Sequence, residues 1–277
     1  MAKYLRYFAV DFDRRSLANE LPFAPQFVFD LFALEFGKCI SKNIVKLLVQ
    51  FTADASRHLV KEELLNVLRV NVRFDETVLE ETEFVQRKFF LDSILAAMRT
   101  HGAEYGWDIA LVEATIDRIV QEGIVFDRDW GKPKVNPKSK QSVRWHARFY
   151  CSIELTLHLF NVHRQHLKTV RVADLPGTIG ALMNACGSLV WLDETHVRTT
   201  MKNNRDYWDI DLDTAQAVFH YPRAEAGDPH GQYDLGRMYL EGHIVDQNLD
   251  LARHWFALAA ANGFARANTR LANLERI

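Results

Sequence analysis

About a fifth of the chain, at its C-terminal end, repeats itself, and that repeat restricts the fold more than any other feature. Ala224-Glu225-Ala226-Gly227 returns as Ala260-Ala261-Asn262-Gly263, with the two glycines 36 positions apart (263 − 227). At the same offset Gly231 meets Ala267 and Leu235 meets Leu271. Small residues crowd this stretch and β-branched ones nearly vanish. A fixed period in the thirties with helical spacing marks stacked helix pairs. Asp228-Pro229 predicts a helix start, with Asp as N-cap and Pro at the first helical position. Leu235, Met238 and Tyr239 give that helix its apolar stripe, Gly231 and Gly236 admit a close neighbour, and Gly242 ends it. Asn248–Ala261 predicts the returning helix, with Leu251, Trp255, Leu258 and Ala259 on one face. Trp255→Ala is therefore expected to cost roughly 3–5 kcal/mol. Phe264–Leu274 begins a third helix.

The preceding residues carry another pattern. Tyr4–Phe12, Ile44–Phe51 and Val67–Phe74 read as strands. In the last, Val70, Val72 and Phe74 alternate with Arg69, Asn71 and Arg73, which predicts one wet face. Phe27–Phe36 is either a buried strand or a short helix, and periodicity alone does not decide. Leu91, Ile94, Leu95 and Met98 then fall at helical spacing, with Gly102 as the expected C-cap. A second helix follows its N-cap Asp108 and ends at Gly123. Residues 131–142 hold two prolines, four lysines and no acid, and read as a loop. From Ala147 to Leu159 the odd positions Ala147, Phe149, Cys151, Ile153, Leu155 and Leu157 are apolar and the even ones mostly polar. This reads as one long strand, with Val170–Val172 pairing back on it. Thr178–Cys186 reads as a short helix, and Leu189–Leu192 and Tyr207–Leu212 as further strands. Strands, helices and strands without regular βαβ alternation imply an α+β fold with a largely antiparallel sheet. The expected division is an α+β domain over 1–222 and a helical repeat over 223–277.

The tail residues form the longer run Ala226-Gly227…Gln232-Tyr233-Asp234-Leu235-Gly236-Arg237-Met238-Tyr239…Glu241-Gly242…Val245…Asp246…Ala252…Trp255-Phe256…Ala259-Ala260…Gly263…Ala267. This run resembles the Sel1-like repeat, a helical repeat related to tetratricopeptide repeats. The resemblance implies a non-enzymatic scaffold for protein contacts. One departure is His243, where the family usually has Gly near the turn. Another is that about one and a half repeats are present, whereas about three are normally needed for a free-standing solenoid. The repeat is thus expected to dock on the first domain, with or without partner contacts.

Classical catalytic motifs are absent from the sequence: no Walker loop, no GxGxxG after a strand, no GxSxG, no HExxH. No cofactor is expected. Cys39, Cys151 and Cys186 form neither a disulfide framework nor a zinc pattern. His158, His163 and His166 lie close in sequence, and His158 and His166 share a face if a strand continues, but no carboxylate stands at a ligand offset, so no metal is expected. Asp206, Asp209, Asp211 and Asp213 form an acidic strip around Trp208. Asp209, Asp211 and Asp213 match the first EF-hand offsets, but Thr214 and His220 stand where Gly and Glu are needed, so the calcium reading fails. On a strand these three share one face, either as a plain solvated surface or as a contact for a basic protein, with Trp208 as a contact aromatic.

Net charge is −2, from 34 Lys+Arg against 36 Asp+Glu, which asks for neither nucleic acid nor an anionic membrane. No apolar stretch is long enough to cross a bilayer and the first residues are not a signal peptide, so a cytoplasmic chain with reduced thiols is expected. The leading functional expectation is a non-enzymatic protein-binding protein. One such class is the bacterial immunity protein, whose acidic strip would occlude the basic cleft of a toxin. The alternatives are an adaptor that uses the repeat as its partner surface, or an enzyme with a site assembled from distant residues such as His146, Glu154, His158 and Asp193.

Overall fold

A computed structural model describes residues 3–13, 20–37, 39–149, 152–203 and 205–274. The chain forms two compact units, Met1–Phe126 with Gly177–Ile179 and Asp127–Pro176 with Gly180–Ile277. The boundary expected at 222/223 falls inside the second.

The first unit contains β1 (Lys3–Leu5), β2 (Tyr7–Phe12), α1 (Gln26–Phe36), β3 (Cys39–Ser41), β4 (Lys46–Thr52), β5 (Lys61–Leu64), β6 (Val67–Arg73), α2 (Glu83–Tyr105) and α3 (Ile109–Gln121). Phe27–Phe36 resolves into helix α1. That helix is the crossover that lets β2 and β4 run parallel, since parallel neighbours cannot be joined by a tight turn. The sheet order is β2-β4-β6-β5, with β2/β4 and β4/β6 parallel and β5/β6 antiparallel. This sheet is mixed. The fold as a whole is α+β, with the antiparallel pairing expected from the sequence dominating elsewhere. Phe12, Phe51, Phe74 and Phe90 meet mostly edge to face with centroids 5.2 to 6.3 Å apart, the arrangement that aromatic quadrupoles favour.

Two expectations are corrected in this unit. The wet face of β6 is interrupted at Asn71, which is fully buried against the Leu59–Val60 segment and donates from Nδ2 to the Val60 carbonyl at 3.0 Å. Gly102 is not a C-cap. The helix runs on to Tyr105 and ends at Gly106 with φ +71°. A Cβ at Gly102 would stand 2.5 Å from Ile109 Cδ1, so this glycine serves the close approach of α2 and α3. The Asp108 cap is present, its carboxylate accepting from Leu111 N at 3.1 Å.

The second unit is built from two four-stranded meanders and the helical tail. The first meander holds β7 (Phe126–Val135), β8 (Ser142–Phe149), β9 (Ser152–Phe160) and β10 (His166–Pro176) in the order β10-β9-β8-β7. The single long strand expected over 147–159 is therefore a hairpin, with Phe149 opposite Ile153 and Val143 opposite Leu159. The register is centred on residue 151, so cross-strand partners have the same parity. The odd residues of both strands consequently face the core, and alternation cannot reveal the reversal. Cys151, counted in that pattern, lies outside the described residues. The loop expected over 131–142 is shorter, because β7 extends through Val135. Asn136 closes the hairpin by accepting from Lys138 N and Ser139 N, and its Nδ2 donates to the Asp193 carbonyl.

After α4 (Ile179–Ala185) comes the second meander: β11 (Ser188–Trp191), β12 (His196–Thr200), β13 (Tyr207–Asp211) and β14 (Gln216–His220), in sequence order and all antiparallel. The tail follows as α5 (Pro222–Glu225), α6 (Pro229–Glu241), α7 (Leu249–Ala261) and α8 (Ala265–Leu274). Asp228 caps α6 by accepting from His230 N and Gly231 N, and Asn248 caps α7 by accepting from Leu251 N. The buried face of α7 is Ala252, Phe256 and Ala259; of the expected Leu251, Trp255, Leu258 and Ala259 only Ala259 lies on it, and the other three are one position round from it. Trp255 is only half-buried. The anchor is Phe256, which lies so close to Gly236 of α6 that a Cβ there would be 2.8 Å from its ring. Among the described residues no helix is long and apolar enough to cross a membrane.

Candidate functional site

The loop between α6 and α7 joins the repeat to the first meander. Ile244 N donates to the Asp174 carbonyl of β10 at 2.7 Å. The Arg171 guanidinium donates to Asp246 of the loop at 2.8 Å and to Asp174 at 2.7 Å. Ile244 pays for this clamp with φ +74°, a left-handed conformation that a β-branched residue rarely adopts and that costs about 1–3 kcal/mol. Lys168 Nζ ties β10 to the β13–β14 turn through the carbonyls of Leu212 and Asp213, at 2.7 and 2.6 Å.

These contacts frame a cleft of about 570 Å³. One wall is β14, the end strand of its sheet, and another is Arg171–Ala173 of β10. The third comes from the repeat, with Tyr239, Ile244 and Leu251. Val218 of β14 is 53% exposed and Leu251 38% exposed, so apolar surface faces the opening from both sides.

The structure separates the residues of the acidic strip. Asp209 and Asp211 share the outer face of β13, as the alternation predicts. Asp213 lies in the turn beyond the strand, and Asp206, just before it, is buried. Trp208 is 1% exposed and turns inward with Ile210 and Leu212, so it is a core residue and not a surface aromatic. Its position follows from parity, since 208 and 209 must point to opposite faces. Asp209 is already neutralised. Arg198 of β12 donates to both of its oxygens at 2.7 Å and holds its carboxyl below the usual range. Arg198 also lies 4.3 Å over the Tyr207 ring, which stacks on His220. Asp211 accepts from the Thr214 and Asp213 backbone amides and stabilises the turn into β14. The Thr214 hydroxyl, then these amides, lower its pKa. Burial pushes the Asp206 carboxyl up. The sequence reading missed Arg198, His196 and His220 as partners of the strip. The visible signal was the alternation His196-Val197-Arg198-Thr199-Thr200, but which strand pairs with which is a long-range fact.

A second concavity, of about 420 Å³, lies on the outer face of the first meander. It brings together His146, Glu154 and His158, three of the four residues considered for a dispersed catalytic set. Asp193 is not among them and pairs instead with His196 at 2.9 Å. The rings of His146 and His158 stack at 4.4 Å, and His166 meets His158 edge-on at 5.0 Å. Asp127 lies 3.1 Å from His146 Nε2 and accepts from Arg148 Nε at 2.9 Å. Among the described residues no three His, Cys, Asp or Glu side chains are placed to hold a metal.

Burial, then the neighbouring His146 and His166, lowers the pKa of His158. An unfolded chain therefore takes up this proton at higher pH than the native one. Stability contributed by neutral His158 is present above about pH 6.5 and is lost as pH falls through the folded value. His196 acts in the opposite sense, raised by its bond to Asp193, whose own pKa is pulled down to about 2 by the Thr195 amide and then by His196. Its contribution is complete below about pH 6.5 and fades as pH rises through the folded value. His158→Gln should flatten the loss of stability as pH falls below about 6.5. Urea unfolding across that range checks it, and an unchanged pH slope would remove His158 from the account.

A family model for the Sel1 repeat matches residues 229–264, which span α6, the clamping loop, α7 and the turn after it. Sel1 repeats mediate protein–protein interaction. No curated protein matches the chain, and no solved structure matches it.

Proposed function

We propose that this chain is a non-enzymatic protein-binding protein that holds its partner in the cleft between the Sel1 repeat and β14. The observation that carries this reading is the coincidence of the repeat with an open, partly apolar cleft whose loop is held under strain by β10. Backbone strain of this kind collects where a surface is kept ready for a ligand. The free thiols of Cys39 and Cys186 suit a cytoplasmic setting.

A finer version makes the chain an immunity protein whose acidic strip blocks a toxin's basic cleft. That version needs free negative charge on β13, and Arg198 has already taken up Asp209. The support left to it is Asp211 and the exposed Asp213. The adaptor version needs only the cleft and is better supported. One experiment separates them. The tagged chain is exposed to lysate of its source cells, and the stoichiometric partner is compared between wild type, Leu251→Glu and the Asp211→Lys/Asp213→Lys double variant. Loss of the partner with Leu251→Glu alone is expected, by at least about tenfold in affinity, as for a buried apolar anchor. Loss with the charge reversals alone would move the contact to the acidic face. Retention in both would dismiss both surfaces.

A further inference from the structure

We propose that β14 is a docking edge, to which an extended segment of a partner protein adds as a further strand, placing a basic side chain beside Asp246. This rests on the protein-binding reading above and specifies what the cleft takes.

The edge itself argues for a strand. β14 pairs only with β13, and among the described residues no backbone group of Gln216–His220 bonds to any other segment. Natural sheets blunt such edges with lysine, proline, bulges or inward charges. Gln216-Ala217-Val218-Phe219-His220 carries none of these, and its pairing with β13 is regular throughout. An edge with free N–H and C=O groups is satisfied by extended chain, whereas a helix has spent its own backbone groups internally. The cleft beside the edge has the volume of an ordinary ligand site. Its far wall presents Tyr239, Ile244 and Leu251, so alternate side chains of an added strand would meet apolar surface.

Charge selects among such segments. Arg171 and Asp246 are the charged side chains among the described residues lining the cleft. The single Arg171 guanidinium is shared between Asp246 and Asp174, so two carboxylates face one cation. Asp246 keeps most of its side chain in solvent. Its carboxylate is therefore the exposed charge at the mouth that a lysine or arginine of the segment would meet.

The probe is a library of random 12-residue peptides displayed on phage and selected on the intact chain. Enriched peptides are then synthesised and titrated. Alternating β-branched or aromatic residues with one basic position are expected. Binding should slow amide exchange across 216–220 by at least about tenfold. N-methylation of the peptide backbone at alternate positions leaves the protein untouched. One register should weaken binding by about tenfold or more and the other should not, because only every second amide of an added strand faces the edge. Asp246→Asn should weaken only peptides that keep the basic residue. Protection confined to α6 and α7, or N-methylation that acts equally in both registers, would overturn strand addition and leave the protein-binding reading standing. No enriched peptide together with a concentration-dependent dimer protected at 216–220 would replace the partner by a second copy. No enriched peptide and no dimer would overturn both readings.

Discussion

Trp208→Ala should destabilise the second unit by roughly 3–5 kcal/mol, whereas Trp208→Phe should cost less than about 1.5 kcal/mol. Trp208 sits on β13 between Thr199 of β12 and Phe219 of β14, with its ring 5.0 Å from that of Phe219. It is the largest of the fully buried side chains described. Truncation to alanine removes an entire indole from a site bounded by two neighbouring strands, and strands in a ladder cannot collapse to fill the space. The indole also carries a cost. Among the described residues neither Trp208 Nε1 nor the buried Thr199 Oγ1 has a hydrogen-bond partner. A buried donor without an acceptor costs about 1–3 kcal/mol. Phenylalanine removes that donor while keeping a ring against Phe219, so the lost volume is partly offset. Urea unfolding followed by near-ultraviolet circular dichroism would read both variants. Equal losses for Phe and Ala would mean that the indole N–H is satisfied. Unchanged stability for Ala would mean that Trp208 is not core.

Local patterns carried much of this architecture. The 36-residue offset placed the helix pair, and the caps at Asp228 and Asn248 are where the residue types demand them. Alternation placed the buried residues of β8 and β9 correctly and still missed the turn between them, because parity is preserved through a hairpin centred on a residue. Phe27–Phe36 was undecidable because its less buried side carries the apolar Ala33 and Leu34 beside Asp30 and Glu35, which blurs the helical period. The acidic strip failed for another reason. Its aspartates were visible, but the groups that compensate them stand on β12 and β14, and strand pairing is not written in the strip itself. His158 and His166 meet across the turn between β9 and β10, not along one continuing strand, and the stacking of His146 likewise needed the register of β8 against β9. The cleft was invisible in the sequence, since its walls come from residues near 171, 218, 244 and 251.

The repeat offers the sharper contrast, because adjacent residues on one helix should behave differently. Phe256→Ala should destabilise the helical tail by about 3–5 kcal/mol, and Trp255→Ala by roughly 1 kcal/mol. Phe256 is fully buried among Ala252, Ala259, Ala267 and Leu274, with Tyr233 5.4 Å from its ring. Its buried neighbours are mostly alanines, so no other side chain there can replace its volume. Gly236 exists to admit it, since a Cβ at that position would press on the ring. A core this small has little reserve, and its loss should open α6–α8 locally before the meanders unfold. Amide exchange by mass spectrometry separates the two levels. Phe256→Ala should raise exchange in 229–274 while β8 and β9 stay protected, and Trp255→Ala should change little. The reverse order would mean that the helix is rotated by one position from the face described. The clamp adds a functional consequence. Ile244 is held in its left-handed conformation by the helices on either side and by Asp174, so loosening α6 and α7 should release the loop that forms one wall of the cleft. Phe256→Ala should therefore weaken partner binding although Phe256 itself does not line the cleft, and Trp255→Ala should leave it intact.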